Sequence, residues 1–243
     1  MNPTDLMYMS DMECLETTAS VLDVFSGDDG KSILVLDRTI FYPQGGGQPA
    51  DHGKISSASA DFHVDDVRFL DGVVQHKGFF ADGVLKQGDE VKLSVDANRR
   101  RFNSRLHTAG HLIDYAIERL GYKLEAGKGY HFPDSPYVEY VGKIDDALKG
   151  KLFETLEGQV NQLINDNLAI SVKIVPFKEL ETLCGNVPPY IPTNKPARIM
   201  FVDGLHGIPC GGTHVSSTAQ VGALTISSIK SKKGDTRVSY RLE

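Results

Sequence analysis

Two short segments, about a hundred residues apart, constrain the fold most, because each carries two side chains that commonly bind metals. His107 and His111 are four residues apart in a stretch of helical character, so both imidazoles lie on one helix face, roughly 6 Å apart. Cys210 and His214 have the same spacing around Gly211-Gly212, which favours a turn over a continuous helix. Three imidazoles and one thiolate form a tetrahedral donor set that suits zinc better than magnesium or calcium.

Neither pair is specific by itself. Two histidines with this spacing also occur on ordinary helix surfaces, and a cysteine beside a glycine turn is often a small buried thiol. A site closed by four protein ligands favours a structural metal, whereas a catalytic zinc keeps one position open for water or substrate. The sequence therefore leaves open whether His214 completes the coordination or yields its place.

The first hundred residues have the pattern of short strands. Residues 32–37 and 91–95 have strand character, and the second segment alternates strictly between apolar and polar side chains. Further short candidates lie at 62–64 and 72–76, with turn residues between them. Repeated short strands favour a small antiparallel β-barrel, and we assign it to a domain at residues 1–98.

From Arg99 onward the periodicity changes to that of a helix, which is predicted to end before Gly121. A second helix is predicted at about 145–167. Strands are predicted at 137–141, 170–175, 198–202 and 223–226, and a closing hairpin turns at 233–235. Helices interspersed with strands predict an α+β fold for a second domain, residues 99–243.

Composition limits the environment of the chain. No apolar run reaches the ~18 residues of a membrane span, and the first residues lack the basic and apolar regions of a secretory signal. The three cysteines form no disulfide framework. We therefore expect a cytoplasmic protein with neither a membrane partner nor a dinucleotide cofactor, and the oligomeric state stays open. A net charge of −6 argues against a general polyanion binder and still permits local basic patches.

Three motifs together resemble a known family. The segments HTAGH at 107–111 and CGGTH at 210–214 resemble the editing domain of alanyl-tRNA synthetase and the freestanding AlaX proteins, and threonyl-tRNA synthetase editing domains share the broader pattern. The segment FYPQGGGQPADHG at 41–53 is similar to the glycine-rich motif of the β-rich domain that precedes the alanyl-type editing domain. Chain length suits a medium-length AlaX protein.

This resemblance implies hydrolysis of the ester that joins a wrong amino acid to the alanine tRNA, usually serine and secondly glycine. It implies the acceptor end of tRNA(Ala) as partner and zinc as cofactor, with His107, His111, Cys210 and His214 as ligands. One departure concerns residues 127–130, which read GKGY where many synthetase-linked domains have QKGS. No role of that glutamine is transferred, and Lys128 is expected to meet a phosphate or the terminal ribose unless it is a solvated loop lysine.

Other residues are candidates for contact with the substrate. Backbone N–H groups of Gly45, Gly46 and Gly47 can approach an acceptor end closely because no Cβ blocks them. Four arginines at the start of the zinc-bearing helix are expected to contact acceptor-stem phosphates, with a solvated basic face as the alternative: Arg99, Arg100, Arg101 and Arg105.

Serine exceeds alanine by one hydroxyl, so the site must hydrogen-bond that hydroxyl in order to reject alanine. Candidates for reading it, or for a part in catalysis, are Thr108, Thr213, Gln44 and Gln48.

Two other functions fit the same residues. A zinc-stabilised RNA-binding module without catalysis is favoured if four ligands close the site. The second alternative is a metallohydrolase that acts on a small ester or amide, and its activity would not depend on tRNA.

Overall fold

The computed structural model describes residues 2–27, 30–189 and 191–243, which fall into two units. One unit comprises the chain up to Gly45 together with Pro49–Phe102, and the other comprises Gly46–Gln48 together with Asn103–Glu243. Three residues of the glycine-rich motif thus group with the C-terminal part of the chain. The two domains at 1–98 and 99–243 stay a prediction.

The first unit contains the predicted small antiparallel barrel. Within the described residues, the barrel closes in the order β2-β3-β7-β6-β5-β8 with antiparallel pairing, while β1 pairs in parallel with β4. The strands are β1 (Asp5–Leu6), β2 (Glu16–Ser26), β3 (Ser32–Leu36), β4 (Arg38–Thr39), β5 (Gly53–Ser56), β6 (Asp61–Leu70), β7 (Val73–Asp82) and β8 (Glu90–Val95).

Apolar side chains at alternate positions of the strands fill the interior of the barrel. In β8, Val91, Leu93 and Val95 are buried while Lys92 between them is exposed, as a two-residue period requires. Each buried aliphatic side chain of this kind contributes about 1.5–3 kcal/mol. The apolar core continues through Leu34, Leu36, Ile55, Phe62, Val67 and Val74.

The second unit combines helices with two sheets, which confirms the α+β class. The sheets have the orders β14-β15-β10-β9 and β11-β12-β13. The elements are α1 (Ala97–Arg119), of which the part from Asn103 belongs here, β9 (Ala126–Tyr130), β10 (Tyr137–Tyr140), α2 (Asp146–Asn165), β11 (Ile170–Val175), α3 (Leu180–Leu183), β12 (Ala197–Val202), β13 (Ile208–Pro209), β14 (Leu224–Lys232) and β15 (Asp235–Leu242).

Local signals explain where these elements begin and end. Gly121 follows α1 with a φ of 81°, a value that favours glycine at a helix end. The Asp145 side chain accepts a hydrogen bond from the Leu148 N–H and caps α2. The hairpin β14–β15 turns through Lys233 and Gly234, both with positive φ, which matches the twist of the paired strands.

Among the described residues, no helix is both long and apolar enough to cross a membrane.

Candidate metal centre

The predicted ligands come together in the second unit. His107, His111, Cys210 and His214 each offer one ligand atom, and these atoms all lie within 4.8 Å of one another. The Cys210 Sγ lies 3.4 Å from Nε2 of His107 and 3.4 Å from Nε2 of His111. Zinc–sulfur and zinc–nitrogen bonds of tetrahedral geometry separate two such ligand atoms by about 3.5 Å. Spacing and donor chemistry therefore fit one tetrahedral ion.

The two halves of the cluster are held by different means. Residues 107 and 111 lie one turn apart on α1, and their rings stack with centroids 5.1 Å apart. Cys210 follows β13, and its N–H donates to the carbonyl of Arg198 on β12. The buried Arg198 guanidinium in turn donates to the carbonyls of Cys210 and Gly212 at 2.8 and 2.7 Å. Sequence patterns gave no sign of this arginine, because its partners are backbone atoms.

The two glycines between the ligands have different surroundings. A Cβ at Gly212 would lie 2.0 Å from Cε1 and 2.2 Å from Nδ1 of His107, far inside contact distance. A Cβ at Gly211 would meet nothing within 4 Å. Neither residue has a positive φ, so the requirement at position 212 is steric. The CGGTH motif needs its second glycine to admit the His107 ring.

Gln48 orients His107 from the glycine-rich motif. Its Oε1 accepts hydrogen bonds from Nδ1 of His107 at 2.7 Å and from the Thr213 N–H at 3.0 Å, and its Nε2 donates to the Thr213 hydroxyl at 2.9 Å. With Nδ1 protonated, the Nε2 lone pair of His107 faces the cluster. Gln48 is 0% exposed and supports the proposed ligand His107. Its contact with substrate stays a prediction.

The two threonines of the motifs are also buried and bonded. The Thr213 hydroxyl is shared with Gln48 and with Ser104, whose Oγ lies 2.7 Å away. The Thr108 hydroxyl lies 3.2 Å from Nδ1 of His214 and accepts from the Val215 N–H. Both threonines are fully buried. Thr108 positions His214, and a role of either threonine in reading a substrate hydroxyl stays a prediction.

The charges of the cluster suit a metal. Burial alone would raise the pKa of the Cys210 thiol, but the imidazoles around it hold that pKa well below its usual value. Burial lowers the pKa of His214 to about 3. Burial also acts to lower the pKa of His111, but the Cys210 thiolate and Asp114 outweigh it and raise this pKa to about 10. A metal bound to the His111 imidazole would displace this proton.

Asp114 is a further residue that the sequence did not point to. Its carboxylate lies 3.8 Å from Nδ1 of His111, three residues back on α1, and accepts a hydrogen bond from the Tyr140 hydroxyl at 2.6 Å. A carboxylate on the far side of a ligating imidazole is a frequent support of metal sites. The i, i+3 spacing on the helix was the available signal.

The four predicted phosphate-binding arginines have different roles. Arg100 is 3% exposed and its guanidinium pairs with the buried carboxylate of Asp51 in the first unit. Its contact with phosphate stays a prediction. Arg99 donates to the Ala50 carbonyl at 2.9 Å. Arg105 donates to the backbone carbonyls of Val221 and Glu243 at 2.8 and 2.9 Å. Arg101 is exposed and keeps its predicted role as a proposal.

The remaining predicted contacts are exposed, except Gly47. Lys128 lies exposed on β9. Gln44 and Gly45 are exposed in the first unit, and Gly46 is exposed in the second. Gly47 is partly buried, and a Cβ there would lie 2.3 Å from the Gly129 carbonyl oxygen. This glycine is therefore required by close backbone packing.

Comparison with known proteins agrees with this architecture. Residues 9–99 match the family described as tRNA synthetases class II (A), and residues 198–239 match the second additional domain of threonyl and alanyl tRNA synthetases. The second match includes Cys210 and His214.

Individual relatives extend the similarity over almost the whole chain. The alanyl-tRNA editing protein AlaX-M of Methanosarcina barkeri is 32% identical over an alignment of 245 positions that covers 98% of each chain. AlaX-L of Pyrococcus horikoshii is 31% identical over 90% of this chain, and the alanine–tRNA ligase of Haloquadratum walsbyi is 32% identical over 92%. This chain spans only 53% of that AlaX-L protein and 24% of that ligase. By its identity and coverage, the chain belongs to the AlaX family of alanyl-tRNA editing proteins.

Proposed function

We propose that this protein hydrolyses mischarged tRNA(Ala), with Ser-tRNA(Ala) as the main substrate and Gly-tRNA(Ala) as a second one. The observation that carries this proposal is the cluster of His107, His111, Cys210 and His214 within 4.8 Å, in a chain whose relatives are named alanyl-tRNA editing proteins. We assign zinc to the cluster because three imidazoles and a thiolate suit its tetrahedral preference.

Hydrolysis of an aminoacyl ester needs only a modest lowering of its barrier, because the ester is already activated. Zinc, when bound, supplies a Lewis acid that polarises the ester carbonyl or lowers the pKa of a water. The protein supplies orientation: Gln48 holds the His107 ring and Thr108 holds the His214 ring. The exposed cations Arg101 and Lys128 are suited to acceptor-end phosphates.

The test is a deacylation assay with seryl-, glycyl- and alanyl-tRNA(Ala). Wild-type protein should hydrolyse the first two and spare the third. Cys210→Ala should lose bound zinc and activity together, whereas Cys14→Ala, the same change in the first unit, should keep both. Absence of hydrolysis of either mischarged tRNA by wild-type protein would refute the proposal.

A second candidate function is a zinc-stabilised RNA-binding module. The four protein ligands favour it, because together they complete a tetrahedral set. This alternative predicts that chelation unfolds the second unit and abolishes tRNA binding while the ester stays intact in all samples. The same assay therefore separates the two functions.

A further inference from the structure

A fourth imidazole lies beside the three of the cluster without belonging to it. His131 follows β9 directly, and its ring stacks on that of His107 with centroids 4.7 Å apart and 19° between the planes. It is not one of the four clustered ligands. Its backbone N–H donates to the Gly47 carbonyl at 2.8 Å, and the residue is 4% exposed. The fold thus holds this ring against a proposed zinc ligand.

Hydrogen bonds determine which ring nitrogen carries the proton. The Tyr240 hydroxyl donates to the Leu106 carbonyl at 2.9 Å, since a carbonyl only accepts. The Tyr240 oxygen, 2.7 Å from Nδ1 of His131, must then accept from an N–H at that position. A neutral imidazole has one N–H, so Nε2 carries a lone pair.

The Nε2 edge is accessible because glycines surround it. A Cβ at Gly129 would lie 2.4 Å from Nε2, and a Cβ at Gly110 would lie 2.4 Å from Cε1. Gly129 itself is exposed. No hydrogen bond joins Nε2 to the described part of the chain, and Nε2 is not sealed from solvent. The ring therefore presents one directed acceptor at an open edge.

We infer that Nε2 of His131 accepts a hydrogen bond from the side-chain hydroxyl of the amino acid on the mischarged tRNA, and so discriminates serine from alanine. This inference rests on the proposed function. The stack on His107 places the acceptor beside the proposed zinc ligands, where the ester must lie. The serine hydroxyl donates a hydrogen bond to this lone pair, whereas alanine has no donor. An acceptor that the bound substrate covers without pairing costs binding energy.

The isosteres of histidine test the inference. Asparagine at 131 keeps a polar group near the Nδ1 position and lacks one at Nε2, whereas glutamine places a carbonyl oxygen near Nε2. His131→Asn should lower kcat/KM for Ser-tRNA(Ala) by about 10- to 100-fold, and His131→Gln should restore part of it. Gly-tRNA(Ala) has the same ester and α-amino group without the hydroxyl, so its hydrolysis should change less than about threefold.

A second variant reaches the same atom from the other side. Gly129→Ala places a Cβ 2.4 Å from Nε2 and should reproduce the selective loss for the seryl substrate, whereas Gly150→Ala, with nothing within 4 Å, serves as control. Zinc content and circular dichroism show that each variant is folded.

Equal losses for the seryl and glycyl substrates, or no loss for either, would overturn the inference while the proposed function stands. Wild-type protein that hydrolyses neither substrate would overturn both.

Discussion

The two glycines between Cys210 and Thr213 offer a matched test of the metal centre. A Cβ introduced at Gly212 would start 2.0 Å from Cε1 of His107, whereas ordinary contact begins at 3.4 Å, so the ring or the loop must shift by about 1.4 Å. Metal–ligand distances hold to within ~0.2 Å in well-formed sites. A shift of that size removes Nε2 of His107 from its place beside the Cys210 sulfur and strains the 2.7 Å bond to Gln48.

We expect Gly212→Ala to weaken zinc binding by at least about 10- to 100-fold, the range seen when the support of a ligand is lost. Deacylation of Ser-tRNA(Ala) should fall in parallel. Gly211→Ala should leave both unchanged, because a Cβ there meets nothing within 4 Å and its φ is not positive. Competition with a chromophoric chelator measures zinc affinity, and single-turnover hydrolysis measures the chemical step.

The comparison has a clear negative outcome. If Gly212→Ala binds zinc as tightly as Gly211→Ala while both are folded, then His107 is not held as a ligand by its contact with this loop. A Cβ at position 212 would then be compatible with zinc binding, and the glycine would not be required to admit the His107 ring.

Three further predictions follow from buried polar groups. Arg100→Met leaves the Asp51 carboxylate buried without its guanidinium partner, with the Tyr42 N–H as a remaining donor, and should lower the free energy of unfolding by about 3–5 kcal/mol. The exposed Arg101→Met should change that free energy by less than about 0.5 kcal/mol and weaken tRNA binding. Urea denaturation and salt-dependent binding measure these effects. Burial lowers the pKa of His76 from 6.5 to about 4. Between pH 6.5 and about 4, this imidazole is therefore protonated in the unfolded chain and neutral in the folded protein. Stability should therefore fall by about 3 kcal/mol as the pH drops from 7 to below 4, and the His76→Gln variant should lack that part of the slope. Gln48→Leu removes the acceptor for His107 and should reduce zinc affinity by about 10- to 100-fold in the same chelator assay, with unchanged affinity as the contrary result.

Helices and strands whose formation depends on residues close together in the sequence could be predicted from it. Helical periodicity and a following glycine placed α1, and alternation placed β8 and the closing hairpin. Strand β9 was missed, because its sequence AGKGY has two glycines and little strand propensity. It pairs with β10 through the backbone, which needs no particular side chains.

Of the residues at the candidate metal centre, only the four proposed ligands could be identified from the sequence. Donor chemistry identifies histidine and cysteine wherever they lie, whereas the roles of Gln48 and Arg100 depend on partners far away in the chain. Successive helix residues point about 100° apart, so a run of arginines cannot show which one turns inward. Arg100 turns towards Asp51 and Arg101 towards solvent.

The grouping of Gly46–Gln48 with the C-terminal unit has a consequence for the order of folding. Gln48 and Thr213 are 165 residues apart, so their hydrogen bonds close one of the longest loops in the chain. Contacts of such high sequence separation form slowly and late. A ribosome must therefore finish most of the chain before Thr213 can fix the Gln48 amide that orients His107. High-affinity metal capture then becomes a sign of completed synthesis. A fragment that starts at residue 98 would retain all four proposed ligands and still lack the amide that orients the first of them.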